Sequence, residues 1–169
     1  MSDVVDEIRD GWARVRPDLP TRSVGVITLV WRLSRALHAE RAAVLSGLGI
    51  DQATLELLAN LRRNPGEEPV SPGALATRCG VTPAAISLRM RRAEESGWVT
   101  RERATSDARS VRVRLTASGR VAADRFAQLV LEHDDALTAE LSDRDLDELE
   151  RLLRRLGQGV ARGRRRSER

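Results

Sequence analysis

The sequence predicts a mainly α-helical fold of the winged helix-turn-helix class, with long helices at both ends and a two-stranded β wing. Three observations carry that reading. Apolar residues recur every three to four positions over most of the 169-residue chain. Two proline-opened segments meet at Gly80, and residues 111–115 alternate apolar and charged, the period of a half-buried strand. Charged residues make up 32% and aromatic residues 2% of the chain, a balance that favours helices with solvated faces over an aromatic-rich sandwich.

Val4, Val5, Ile8, Trp12 and Val15 predict a short amphipathic helix before the Pro17 to Pro20 break, and residues 1–22 form an N-terminal arm. From Ser23 the positions Ile27, Val30, Trp31, Leu37, Val44 and Leu45 continue a helical spacing that ends near Gly47 and Gly49. Asp51 is placed to cap a helix bearing Leu55, Leu58 and Leu61, and Asn64 to Pro69 is a turn-rich loop.

Ser71-Pro72 opens a brief helix that Gly80 stops, and Thr82-Pro83 opens another that reaches Ser96 and stops at Gly97. Proline is tolerated there because its missing N–H has no partner in the first turn. Ala76 and Gly80 are small enough for close crossing and Val81 with Ile86 closes the corner, the helix-turn-helix pattern.

Trp98 to Arg103 and Ser110 to Leu115 read as strands around a polar loop, with Val111, Val113 and Leu115 on one side and Arg112 and Arg114 on the other. Thr116 begins a long helix through Val121, Leu129, Val130, Leu137 and Leu141. Ser142 with Asp145 forms a capping-box-like restart for a last helix ending near Val160. Leu146, Leu149, Leu153, Leu156 and Val160 make a stripe too apolar for a peripheral helix to leave wet, so it requires a partner. The arginine-rich tail, residues 161–169, reads as disordered.

Several function classes drop out. No uninterrupted apolar run approaches the roughly 18 residues of a membrane span, and the N-terminus lacks a signal-peptide layout. A cytoplasmic protein is expected, on the nucleoid when bound to DNA. There is no tyrosine, no Ser-His-Asp grouping and no phosphate-cradling glycine loop, so no catalytic residues and no cofactor are expected. His38 and His133 stand on separate helices and Cys79 is the lone thiol, which argues against a metal site or an internal disulfide. Every basic residue is arginine. Residues 71–115 hold nine of them against four acids, and residues 162–169 five against one, two patches that attract phosphate.

The element order, with Gly97-Trp98-Val99, Asp107-Ala108-Arg109-Ser110 and Arg114-Leu115-Thr116 around the wing, resembles the MarR family over residues 23–160. The resemblance implies a winged helix-turn-helix at 51–115 and dimerisation helices at 23–48 and 116–160 that interlace in a homodimer. It further implies a repressor on a palindromic operator of double-stranded DNA, with the second helix of each motif in a major groove and each wing at an adjacent minor groove. Ile8-Arg9-Asp10-Gly11-Trp12 and Arg16-Pro17-Asp18-Leu19 are similar to the arm of the urate-responsive branch, the HucR and PecS type. The ligand set implied by that branch falls on Trp12, Glu56, Arg89 and Arg101. Glu56 stands where the branch has aspartate, so the expected effector is a small anion: urate, another purine or an aromatic acid.

Within this frame Ser71, Thr82, Ser87, Leu88 and Arg91 are the groove candidates of the helix-turn-helix, and Arg91 is the strongest base contact. Leu88 replaces a usual polar residue and suits a thymine methyl. Arg92 and Glu94 read as ion-pair partners instead. In the wing Arg109 suits a narrow minor groove, Asp107 either orients it or forms the turn, and Arg103, Ser106 and Arg112 suit phosphates. The plainer alternatives stand beside these: an exposed arginine is often only solvated, Trp12 can simply pack the arm, and Arg89 can simply pair with Glu56. Cys79 is either a small packing residue or a redox sensor. A regulator without ligand control and a protein-interaction module on the same scaffold also remain open.

Overall fold

The computed structural model describes residues 2–103 and 111–167. Its elements are α1 (Ser2–Val15), α2 (Arg22–Gly47), α3 (Gln52–Arg62), α4 (Pro72–Cys79), α5 (Pro83–Glu95), β1 (Val99–Arg103), β2 (Val111–Leu115), α6 (Ala117–Thr138) and α7 (Asp143–Ser167), with a 3₁₀ turn at Pro65–Glu67. The chain divides into two compact units, residues 1–126 and 127–169, the boundary falling inside α6. Among the described residues no single helix is long and apolar enough to cross a membrane.

Caps written into the sequence set the helix starts. The Thr54 N–H donates to Asp51 Oδ1 at 2.7 Å, Ala74 N–H to Ser71 Oγ at 3.2 Å and Ala85 N–H to Thr82 Oγ1 at 3.2 Å, each satisfying a donor that has no intrahelical partner. Pro72 and Pro83 follow two of these caps. Gly80 closes α4 in the left-handed region at φ 63°, and Val81 N–H donates back to Ala76 O at 3.0 Å, which produces the sharp turn into α5.

The first unit has one core. Leu57, Leu58, Leu75 and Val113 are fully buried, with Leu45, Ile86 and Met90 nearly so. Each such side chain stabilises the fold by about 1.5–3 kcal/mol relative to an exposed one. β1 and β2 pair antiparallel, Val99 opposite Leu115 and Arg103 opposite Val111. An additional bridge was not visible in the sequence pattern: Val70 and Val113 exchange N–H···O bonds of 2.8 and 2.9 Å, so the residue preceding the Ser71 cap of α4 lies against β2. One expectation for β2 is corrected. Val113 and Leu115 are buried, but Val111 is 40% exposed because it pairs with Arg103 at the far end of the ribbon, away from the core.

The wing root is tied to the start of α6. Gly119 N–H donates to the capping Thr116 Oγ1 at 2.9 Å, and the Thr116 and Ser118 hydroxyls both donate to Gly97 O, at 2.7 and 2.9 Å. A Cβ on Gly119 would stand 1.9 Å from Trp98 O, so only glycine permits the approach. Trp98 packs edge-on against Phe126, ring centroids 5.6 Å apart.

In the second unit α7 begins with the anticipated reciprocal cap: Ser142 N–H donates to Asp145 Oδ2 at 3.1 Å and Asp145 N–H to Ser142 Oγ at 3.3 Å. The Ser142 hydroxyl first, and then the Ser142 N–H, both donating to Oδ2, hold the Asp145 carboxyl below its ordinary value. Leu149, Leu153 and Val160 are 41–56% exposed, so their stripe is uncovered in the single chain. The helix does not end near Val160 with a disordered tail, as expected, but runs to Ser167. Arginine is a good helix former, and cations favour a helix C-terminus.

Candidate nucleic-acid interface

The α4 turn α5 corner presents one face of α5 outward. Ile86, Met90 and Ala93 point into the core, while Ala84, Ser87, Leu88 and Arg91 are exposed at helical spacing. The caps occupy part of the polar set: Ser71 and Thr82 spend a lone pair each on backbone N–H groups. Ser87 donates its hydroxyl to Pro83 O at 2.8 Å and retains acceptor capacity.

The three arginines of α5 differ in what holds them. Arg89 is half-buried, 19% exposed, and its Nη1 stands 2.8 Å from Glu56 Oε2 on α3. Arg92 reaches Asp51 at 3.4 Å. Arg91 is exposed and, among the described residues, has no carboxylate partner. Arg92 and Glu94 are each engaged in an ion pair but not with one another, Arg92 with Asp51 and Glu94 with Arg101 at 3.1 Å. Asp51 is held below its usual carboxylate range: burial raises its pKa, but the Thr54 donors and the nearby Arg92 and Arg89 outweigh it.

In the wing Arg112 is exposed on β2 while Arg114 pairs with Glu102. Arg103 closes β1 opposite Val111. Ser106, Asp107 and Arg109 lie outside the described residues.

The four anticipated effector residues are only partly brought together. Glu56 and Arg89 form the interior pair, Arg101 on β1 is taken by Glu94, and Trp12 on α1 is 47% exposed. A cavity of about 420 Å³ lies where α2, α3 and α5 converge, lined by Ser46, Ile50, Asp51, Thr54, Arg92 and Trp98, none of the four. Two residues beside the pair were missed as neighbours. Asn60, one turn after Glu56, donates to Cys79 Sγ at 3.5 Å, and Arg89 also acts on that thiol. The Glu56, Asn60 spacing of i, i+4 was the available signal. Burial pushes the Cys79 thiol up in spite of Arg89, which disfavours the thiolate a redox sensor needs.

An outward polar helix with a free arginine, set beside a two-stranded wing, defines a winged helix-turn-helix DNA-binding regulator. The comparisons agree. A family model described as MarR family matches residues 48–110. The HTH-type transcriptional repressor Rv2887 of Mycobacterium tuberculosis is 34% identical over 129 residues, 76% of this chain and 91% of that protein. The HTH-type transcriptional regulator PecS of Dickeya dadantii is 26% identical over 152 residues, 90% of this chain and 92% of its own length. The crystal structure of Rv2887 in complex with p-aminosalicylic acid superposes with a TM-score of 0.59 at 33% identity, covering 77% of this chain and 96% of that one. The chain belongs to the MarR family.

Proposed function

We propose that the chain is a homodimeric repressor of a palindromic operator, released when a small anion such as urate, another purine or an aromatic acid competes with Glu56 for Arg89. The observation that carries this reading is the position of Arg89. It is held at 2.8 Å on the inner side of the helix whose outer side carries Ser87, Leu88 and Arg91. An anion that takes over this guanidinium by charge-assisted bonds changes what holds α5 against α3. Arg101 and Trp12 complete the set, the first as a second cation and the second as an apolar wall.

Release requires only unequal affinity for the DNA-competent and the released arrangements. A tenfold weakening of operator binding corresponds to about 1.4 kcal/mol of that difference. The complex of Rv2887 with p-aminosalicylic acid supports an aromatic acid as the first compound to try. The uncovered Leu149, Leu153 and Val160 stripe supports a second copy as partner.

The test is a gel-shift series on duplex DNA from the chain's own upstream region, with urate, xanthine and salicylate added. Release by one of them is expected, with Arg89→Ala and Arg101→Ala still binding DNA but no longer released. DNA binding indifferent to every anion points to a regulator without ligand control. Variants released like the parent remove these two arginines from the site.

A further inference from the structure

The outward face of α5 is not uniformly polar. Ala84 and Leu88 stand one turn apart on it, and Leu88 is 39% exposed on the side opposite the buried Ile86, Met90 and Ala93. Leu88 is the one large apolar side chain exposed on this face of α5, so a partner that meets the face meets an apolar surface there. The surroundings say which kind. The first turn of α5 carries no acid, and the adjacent Arg91 is the α5 arginine without a carboxylate among the described residues. Ser87 beside it is left as an acceptor. An apolar side chain next to a guanidinium and a hydroxyl acceptor suits the major groove, where the one apolar group on a base edge is the thymine C5 methyl.

We propose that Leu88, backed by Ala84, is a specificity-determining residue that reads a 5-methylpyrimidine beside a base pair held by Arg91. Leu88 and Arg91 are separated by about 4.5 Å along the helix, one to two base-pair steps of about 3.4 Å. The guanidinium fork suits guanine O6 and N7. This rests on the duplex-binding reading of α5 and adds to it which base feature is selected and by which side chain. Leu88 lies outside the buried set of α5, and Leu88→Ala is expected to unfold in denaturant with the parent's midpoint, which is measured alongside.

The experiment enriches binding duplexes from a random-sequence pool with the full chain. Each thymine of the enriched duplex is then replaced singly by deoxyuridine, which deletes only the methyl group. Expected is one thymine per half-site whose replacement weakens binding about fourfold, the effect of one buried methyl group. Leu88→Ala abolishes that sensitivity, whereas Arg91→Ala weakens binding throughout and keeps it. Deoxyuridine tolerated within twofold at every position overturns the proposal, as does a Leu88→Ala variant with the parent's methyl sensitivity. Failure to retain any duplex removes the duplex-binding reading itself, and this assignment with it.

Discussion

The winged unit and the C-terminal helix handle apolar surface in opposite ways. Between α3 and β2 most leucines and valines are sealed, Leu88 and Val111 excepted, with Leu57, Leu58, Leu75 and Val113 wholly out of water. Along α7 the residues Leu149, Leu152, Leu153 and Val160 remain 41–56% exposed on a long, well-capped helix. The first region closes its core with its own chain; the second holds its secondary structure locally and leaves its apolar stripe open.

That contrast can be broken from its open side first. Placing two charges on the stripe with Leu149→Glu and Leu153→Glu is expected to abolish self-association in sedimentation. Operator affinity should fall more than about 100-fold, since two linked reading heads gain that much from effective concentration. An intact unfolding transition of the winged unit should persist; a dimer that survives removes the stripe from the interface. On the closed side, Leu75→Ala is expected to cost about 2–5 kcal/mol in denaturant unfolding, because the side chain is fully enclosed. A loss under about 1 kcal/mol would show the site to be loosely packed.

The smallest effect sharpens the comparison through pH. Asp51 caps α3 and titrates below its ordinary value in the folded chain. A depressed folded pKa makes its contribution complete above the unfolded value of about 3.9 and progressively lost as pH falls through the lower folded value. Asp51→Ala should cost about 1 kcal/mol near neutrality, and the gap between variant and parent should narrow in urea titrations below about pH 4. A gap independent of pH contradicts the capping role.

Local signals account for much that was legible in advance. Helix starts at Asp51, Ser71 and Thr82, the stop at Gly80 and the box of Ser142 with Asp145 all follow from contacts within a few residues, so spacing alone exposes them. The wing pairing was readable because alternation has a period of two. What escaped depends on separations no pattern encodes. Val70 reaches Val113 across the chain, and Arg62 holds Asp124 at 2.7 Å over 62 positions. Arg101 chooses Glu94, and Cys79 sits against Asn60. At the candidate site the Glu56 and Arg89 pair was foreseen both as ligand set and as plain ion pair, and the geometry supplies the ion pair.

The crowding at Gly119 has a mechanical outcome. With no room for even a methyl group against the Trp98 carbonyl, the opening turn of α6 and the base of the hairpin cannot slide past each other. A methyl group there, as in Gly119→Ala, would have to part the helix from the hairpin base on which it stands.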